Sequence, residues 1–339
     1  MKNKNLYLLL LSCLLLFNSC EPEKKKIKVG FLFNDFNSPR WERESIFFKN
    51  RIAELGGVAL IAVAGGDEIK QYNQAMDFIA QGVDVIVITA SNANTAAIIV
   101  RDAHKKGIKV IAYDGLILNC DLDYLVGFDL EKVGELQASY VLNLNPAGNY
   151  VILNGDKIHS AAVEMNNGIL KVLKSPIEAK KIDIIYSGWI ENWSSINAQF
   201  YAERIFEFSV RKIDAVIAVN DGIAAGVAKV LKEKGLEGQI TLTGQDGDID
   251  ACNRILNGKQ TMTVYKSSRL IAYSSAELAF KVVQNEKIEG LKYLFNGRLD
   301  VPTLLLDPVS VDKSNLESTI AKDGIYTMEE ILKYSESKE

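Results

Sequence analysis

The stretch Val83-Asp84-Val85-Ile86-Val87-Ile88, followed by Ser91-Asn92, an amphipathic run over 95–106, Gly107 and Val110-Ile111-Ala112-Tyr113-Asp114, decides the fold. Two short, nearly continuous β-branched runs flank a helical pattern. Runs of that kind suit strands buried on both faces, which belong to parallel sheets covered by helices. The scheme returns from Ile213-Asp214-Ala215-Val216-Ile217-Ala218, through Asn220-Asp221, to Gly244-Gln245-Asp246. The first unit spans 32 residues and the second 34. Each closes on an aspartate at a strand's carboxyl end, the edge at which open α/β sheets bind ligands.

Outward from these units the same alternation fills the chain. Strands are expected at 27–33, 58–64, 83–90, 110–114, 124–128, 150–154, 182–187, 215–220, 240–244 and 261–265. Helices are expected at 40–55, 69–81, 95–106, 132–144, 161–173, 195–208, 222–234 and 270–283. Ten strands in 339 residues exceed one small sheet, so the reading is α/β with two doubly wound parallel-sheet lobes. The 39 Lys+Arg against 43 Asp+Glu, with no long basic run, argue against a nucleic-acid partner. Two His and four Cys, with no CxxC or HExxH spacing, leave no motif for a metal, and no Walker or dinucleotide loop asks for a cofactor. Asp246-Gly247-Asp248-Ile249-Asp250 starts like a calcium loop but has Ala251 and Asn257 where Gly and Glu are needed. It reads instead as a helix N-terminus favoured by acids.

The first residues form an address. Lys2 and Lys4 precede the apolar run Leu6–Phe17, too short for a comfortable membrane span and suited to a signal peptide. Ser19-Cys20 and a polar run follow, resembling a bacterial lipoprotein signal. Residues 1–19 would then be removed, Cys20 would carry lipid and 20–26 would be a tether. An ordinary cleaved signal with an incidental Cys20 is the alternative. Cys120 and Cys252, far apart in sequence, are expected as free thiols.

Polar residues gather at the predicted strand ends: Asn34, Asp35, Arg40, Ser91, Asn92, Asp114, Asn154, Asn220, Asp221, Asp246 and Lys266. Carboxylates, amides and guanidinium groups suit sugar hydroxyls, which both donate and accept. Trp41, Trp189 and Trp193 offer flat apolar faces for a pyranose ring. His159, after the sixth strand, has no neighbouring nucleophile in sequence.

From Lys28 to about Gly324 the chain resembles the type I periplasmic sugar-binding proteins, most closely the D-xylose-binding branch serving ABC importers. Matching stretches include Arg40-Trp41, the run Gly107–Asp114, Glu131–Ala138, Lys212–Val216, Asn220-Asp221, Gly244–Asp246, Gln260–Lys266, Leu299–Pro302 and Lys322–Gly324. The resemblance implies two lobes joined by three crossings, with residues 27–127 and 267–296 in one lobe and 128–266 and 297–330 in the other, then a charged tail at 331–339. It implies a monosaccharide clamped by Arg40, Asp114, Trp193, Asn220, Asp246 and Lys266, with Trp189 as the alternative stacking ring. The chain departs at Gly115, Ser160 and Ala161, where the branch carries an arginine and two asparagines; either neighbours such as His159, Lys157 or Asn34 compensate, or the ligand differs from xylose, as another pentose, a hexose or a larger derivative. The expected protein is a monomeric, non-enzymatic receptor in the periplasm or at the cell surface, reaching the membrane only through its anchor. Its membrane partner would be an ABC permease or, alternatively, a sensor histidine kinase. A glycosidase reading with Asp114 and Asp246 as the acid pair is disfavoured, because Arg40 and Lys266 are expected to keep both ionised. A repressor of similar fold would need a DNA-binding helix pair where the export signal stands.

Overall fold

The computed structural model describes residues 25–36 and 39–334; the predicted signal segment and Cys20 lie outside them. The chain first alternates β1 (Lys28–Phe33), α1 (Pro39–Glu54), β2 (Val58–Val63), α2 (Glu68–Ala80), β3 (Val85–Ile88), α3 (Ala97–His104), β4 (Lys109–Tyr113) and β5 (Tyr124–Phe128). It then runs through α4 (Leu130–Leu144), β6 (Gly148–Asn154), α5 (Ser160–Glu178), β7 (Ile182–Trp189), α6 (Ser195–Phe208), β8 (Ala215–Ala218), α7 (Asp221–Glu233), β9 (Thr241–Leu242), α8 (Ile249–Leu256) and β10 (Thr263–Tyr265). It closes with α9 (Ser268–Gln284), β11 (Lys292–Phe295), β12 (Asp300–Leu306), β13 (Val309–Val311) and α10 (Met328–Lys333).

Two main sheets result. One has the order β11-β12-β5-β4-β3-β1-β2, the other β7-β6-β8-β9. Every pairing is parallel except β11 with β12 in the first sheet. An antiparallel β10-β13 ribbon joins the second sheet through the Gln245–Val264 bridge. Alternate residues of the first sheet feed two cores. Phe31, Val85 and Val87 pack with Phe48 and Ile271, while Leu32, Ile86 and Ile88 pack with Phe78 and Val100. Burying side chains of this size contributes about 1.5–3 kcal/mol each. This double covering is why the strands read as unbroken apolar runs.

The chain passes between the sheets three times: at Asp129, at Lys266-Ser267 and at Asp307-Pro308. Two passages end in helix caps. Asp129 accepts from the Lys132 amide at 2.9 Å, and the Ser267 hydroxyl accepts from the Leu270 amide at 3.0 Å.

Two expectations need correction. Strand β12 joins β5 in the first sheet, so that lobe's last stretch continues to Leu306 and does not end at 296. The tail expected from 331 starts inside α10, whose Ile331 is fully buried. The acidic helix start is met: Asp248 occupies the N-cap position of α8, without a side-chain cap bond, and Asp250 stands in the first turn. Cys120 and Cys252 are buried free thiols. No helix among the described residues is long and apolar enough to cross a membrane.

Candidate functional site

The first sheet contributes one half of the site. At the end of β4, Asp114 adopts φ 65°, in the left-handed region. Arg40, in the first turn of α1, approaches Asp114 Oδ2 through Nη2 at 3.1 Å and Glu44 Oε1 through Nε at 2.5 Å. Tyr113 donates to the other Glu44 oxygen at 2.7 Å. Glu44 is fully buried one helical turn after Arg40, so it fixes the guanidinium from behind. Burial raises the Glu44 pKa against the pull of Arg40. Burial also works against Asp114, but Arg40 and then Lys266 outweigh it and hold this carboxylate below its usual range. Burial lowers Arg40, yet Asp114 and Glu44 leave it well above its ordinary value. The guanidinium also lies over the Trp41 ring at 4.5 Å. Asn34, after β1, donates to Asp35 at 2.7 Å, and its buried Oδ1 has no hydrogen-bond partner.

The second sheet contributes the other half. Trp193, with φ 55°, presses on Gly155, where a Cβ would stand 2.2 Å from a ring carbon. Its Nε1 donates to His159 Nδ1 at 2.8 Å, and the two rings stack at 6.2 Å. His159 therefore orients Trp193. Trp189 ends β7 with Lys157 Nζ 5.8 Å from its ring centre. Asn220 caps α7, its Oδ1 accepting from the Ile223 amide at 2.9 Å, which leaves Nδ2 outside the cap. Asn154 closes β6, and both of its side-chain polar atoms are buried without a partner.

Asp246 stands at φ 120°, an uncommon backbone for any residue but glycine. Gln245 hydrogen-bonds its Oδ1. The side chain lies between protein walls yet keeps an open face. Loss of water raises its pKa even though Lys266 and Arg40 pull it down. The expectation that both acids are held low is thus met at Asp114 and corrected at Asp246. Lys266, on the second passage between sheets, acts on both carboxylates.

Asp221, which the sequence suggested as a hydroxyl-recognition group, is instead an internal strut. It is fully buried and accepts from the amides of Gly247 and Asp248 at 2.8 and 3.1 Å, from Thr263 at 2.9 Å and from Gln260 at 2.9 Å. Burial, then Asp246, push its pKa up to about 7. These bonds hold the loop that carries Asp246. Asn92 likewise serves its own loop, accepting from the Asn94 amide at 2.9 Å. Sequence reasoning missed Glu44 and Asp221 as positioning groups. Only the i,i+4 spacing of Arg40 and Glu44 signalled the first.

A cavity of about 320 Å³ lies where the halves meet. Arg40, Asp246 and Lys266 line it together with Arg43, Asp248 and Tyr326, whereas Asp114, Trp193 and Asn220 do not form part of its wall. Fixed carboxylates, cations and amides beside aromatic faces are equipped to bind a polyhydroxylated ligand from two sides.

Comparison with known proteins gives this geometry its family. Residues 29–287 match the family described as periplasmic binding protein domain. The chain is 39% identical over 331 residues to the D-xylose-binding periplasmic protein of Haemophilus influenzae, covering 98% of this chain and 99% of that one. It is 37% identical to the Escherichia coli protein of the same description, covering 98% and 100%. An ABC transporter solute-binding protein from Clostridium phytofermentans, solved with bound β-D-glucose, superposes with a TM-score of 0.73 at 26% identity, covering 90% of this chain and 99% of that chain. These relatives are binding proteins and not enzymes, and the acid pair is accordingly no glycosidase centre. Sheet order, passages between lobes and near full-length identity agree, and the chain belongs to the type I periplasmic sugar-binding proteins.

Proposed function

We propose that this protein is a lipid-anchored extracytoplasmic receptor that clamps a monosaccharide, a xylose-like pentose or a related sugar, and delivers it to an ABC importer. One observation carries the reading. Arg40 and Asp114 from the first sheet, Asp246 from the second and Lys266 from a passage between them form one electrostatic group across the cleft. Asp114 and Asp246 accept from sugar hydroxyls, Arg40 and Lys266 donate, and Asn220 offers its free amide hydrogens. Trp193 covers the apolar face of the ring, since Trp189 is already paired with Lys157. Asn34, with an unspent acceptor, is a further contact, whereas His159 acts by holding Trp193. Gly115 leaves open space where a Cβ would go, so the ligand on that side meets room and no side chain.

Thermal denaturation of the mature protein with a panel of pentoses and hexoses tests this. A sugar at about 100 times its Kd adds about 2.7 kcal/mol of stability. A panel that leaves the midpoint unchanged refutes the assignment. Anchoring through Cys20 predicts that the processed protein sediments with membranes and that Cys20→Ser frees it; equal partitioning of the two forms excludes the lipid.

A further inference from the structure

The cavity extends beyond the residues that clamp one sugar. Past Arg40, Asp246 and Lys266 its wall continues through Arg43, Asp248, Ile325 and Tyr326. None of these four belongs to the clamp. Arg43 is one turn of α1 beyond Arg40, and its guanidinium lies over the Tyr326 ring at 5.3 Å. Arg43 Nε is buried without a hydrogen-bond partner, whereas Arg40 Nη2 already faces Asp114 Oδ2 at 3.1 Å. Buried guanidinium hydrogens normally have acceptors, so the unspent Arg43 Nε on the cavity wall points to a ligand that brings oxygen atoms.

The wall also says what kind of ligand. Arg40, Arg43 and Lys266 share the wall with Asp246 and Asp248, so a fully anionic group in the cavity would meet carboxylates as well as cations. Trp41, Tyr265, Tyr326 and Ile325 add flat and apolar surface between these polar groups. Aromatic faces interleaved with donors and acceptors of both kinds suit a neutral pyranose. A volume of about 320 Å³ lies within the range of about 300–1,000 Å³ usual for small-molecule pockets.

We propose that this extension is a second carbohydrate subsite, continuous with the clamp, which takes the next sugar unit of a disaccharide. The inference rests on the sugar-binding reading above and deepens it. The first unit sits between Asp114 and Asp246. The second lies against Tyr326, with its hydroxyls accepting from Arg43 and donating to Asp248. The ligand class is then a short neutral glycoside, taken up whole.

Calorimetric titration of the mature protein decides this. The probes are D-xylose with xylobiose, D-glucose with cellobiose, and D-glucuronate as an acidic monosaccharide. The disaccharide that matches the preferred monosaccharide is expected to bind at least tenfold more tightly. Arg43→Met and Tyr326→Ala are expected to abolish that advantage and leave the monosaccharide Kd within twofold of the unaltered protein. The thermal midpoint without ligand, with Arg43→Lys and Tyr326→Phe as milder variants, guards against misfolding. Binding of the monosaccharide with exclusion of its disaccharide overturns the subsite alone. So does a disaccharide advantage that survives all the variants, or tighter binding of glucuronate than of any disaccharide. Failure of every sugar to bind the unaltered protein overturns the sugar-binding reading and the subsite together.

Discussion

Asp114 and Asp246 each end a βα unit, and each holds a left-handed backbone, at φ 65° and 120°. Such conformations cost about 1–3 kcal/mol where they are strained, and persist where the surroundings fix them. Here the surroundings are polar struts: Glu44 behind Arg40, and Asp221 beneath the Asp246 loop. The two acids are equal in the sequence echo and unequal in environment. Arg40 and Lys266 hold Asp114 low, whereas Asp246 is raised by desolvation and shares its region with Asp221 and Asp248. An acid with a raised pKa is an ionised acceptor above that value and loses this role as pH falls through it. Sugar affinity is therefore expected to decline on acidification at a pH where Asp114 is still charged. In Asp246→Asn the decline should flatten, with Kd at neutral pH raised about tenfold or more, because charged hydrogen bonds contribute about 1.5–3 kcal/mol each. Titrations from pH 4 to 8 on both proteins check it, and superimposable profiles would remove Asp246 from the ligand. The echo made both aspartates legible in sequence. Glu44 and Asp221 were not legible as positioning groups, since a buried carboxylate within or at the start of a helix shows its purpose only when its partners arrive from other elements.

Elements were legible in proportion to their burial on both faces. Strands β1, β3, β4, β6 and β8 have apolar runs because helices cover each side, and the sequence places them within a few residues. The late strands escaped for physical reasons. β11, Lys292-Tyr293-Leu294-Phe295, is an edge strand with Tyr293 and Phe295 exposed. β12 carries Pro302 between two paired neighbours, where a proline ordinarily argues against a strand. With β12 unread, the third passage between lobes was set too early in the chain. The helix layer shows the opposite case, in which a small residue matters through its neighbour. Gly134 of α4 and Gly168 of α5 face one another: a Cβ on the first would stand 1.9 Å from the Met165 carbonyl oxygen, and on the second 1.9 Å from that of Glu131. Two helices thus meet backbone to backbone across reciprocal glycines. This contact keeps α5 close to α4 and so sets the height at which His159, just before α5, meets Trp193.

Across the whole molecule, the three passages set how the lobes can move. Asp129 and Ser267 are helix caps, so each of these strands turns directly into a helix of the other lobe with one or two residues between them. The second passage is also pinned by the C-terminal segment. Asp323 accepts from the Tyr265 hydroxyl at 3.0 Å and from Ser267, and Arg269 donates to its carbonyl at 3.0 Å. These contacts favour a narrow hinge beside Lys266, the cation proposed to meet the ligand. Hinge closure of this kind is a familiar motion of periplasmic binding proteins. A ligand shifts the balance only by its differential affinity for the closed form, and a sugar that bridges Asp114 and Asp246 has that preference because its two partners sit on opposite lobes. Saturating sugar is therefore expected to reduce the radius of gyration measured by small-angle X-ray scattering. Asp246→Ala at the same sugar concentration should keep the larger value, because one lobe has lost its hold. A radius unchanged by a sugar that demonstrably binds would mean that the ligand is read by one lobe, and the two-sided clamp would have to be abandoned.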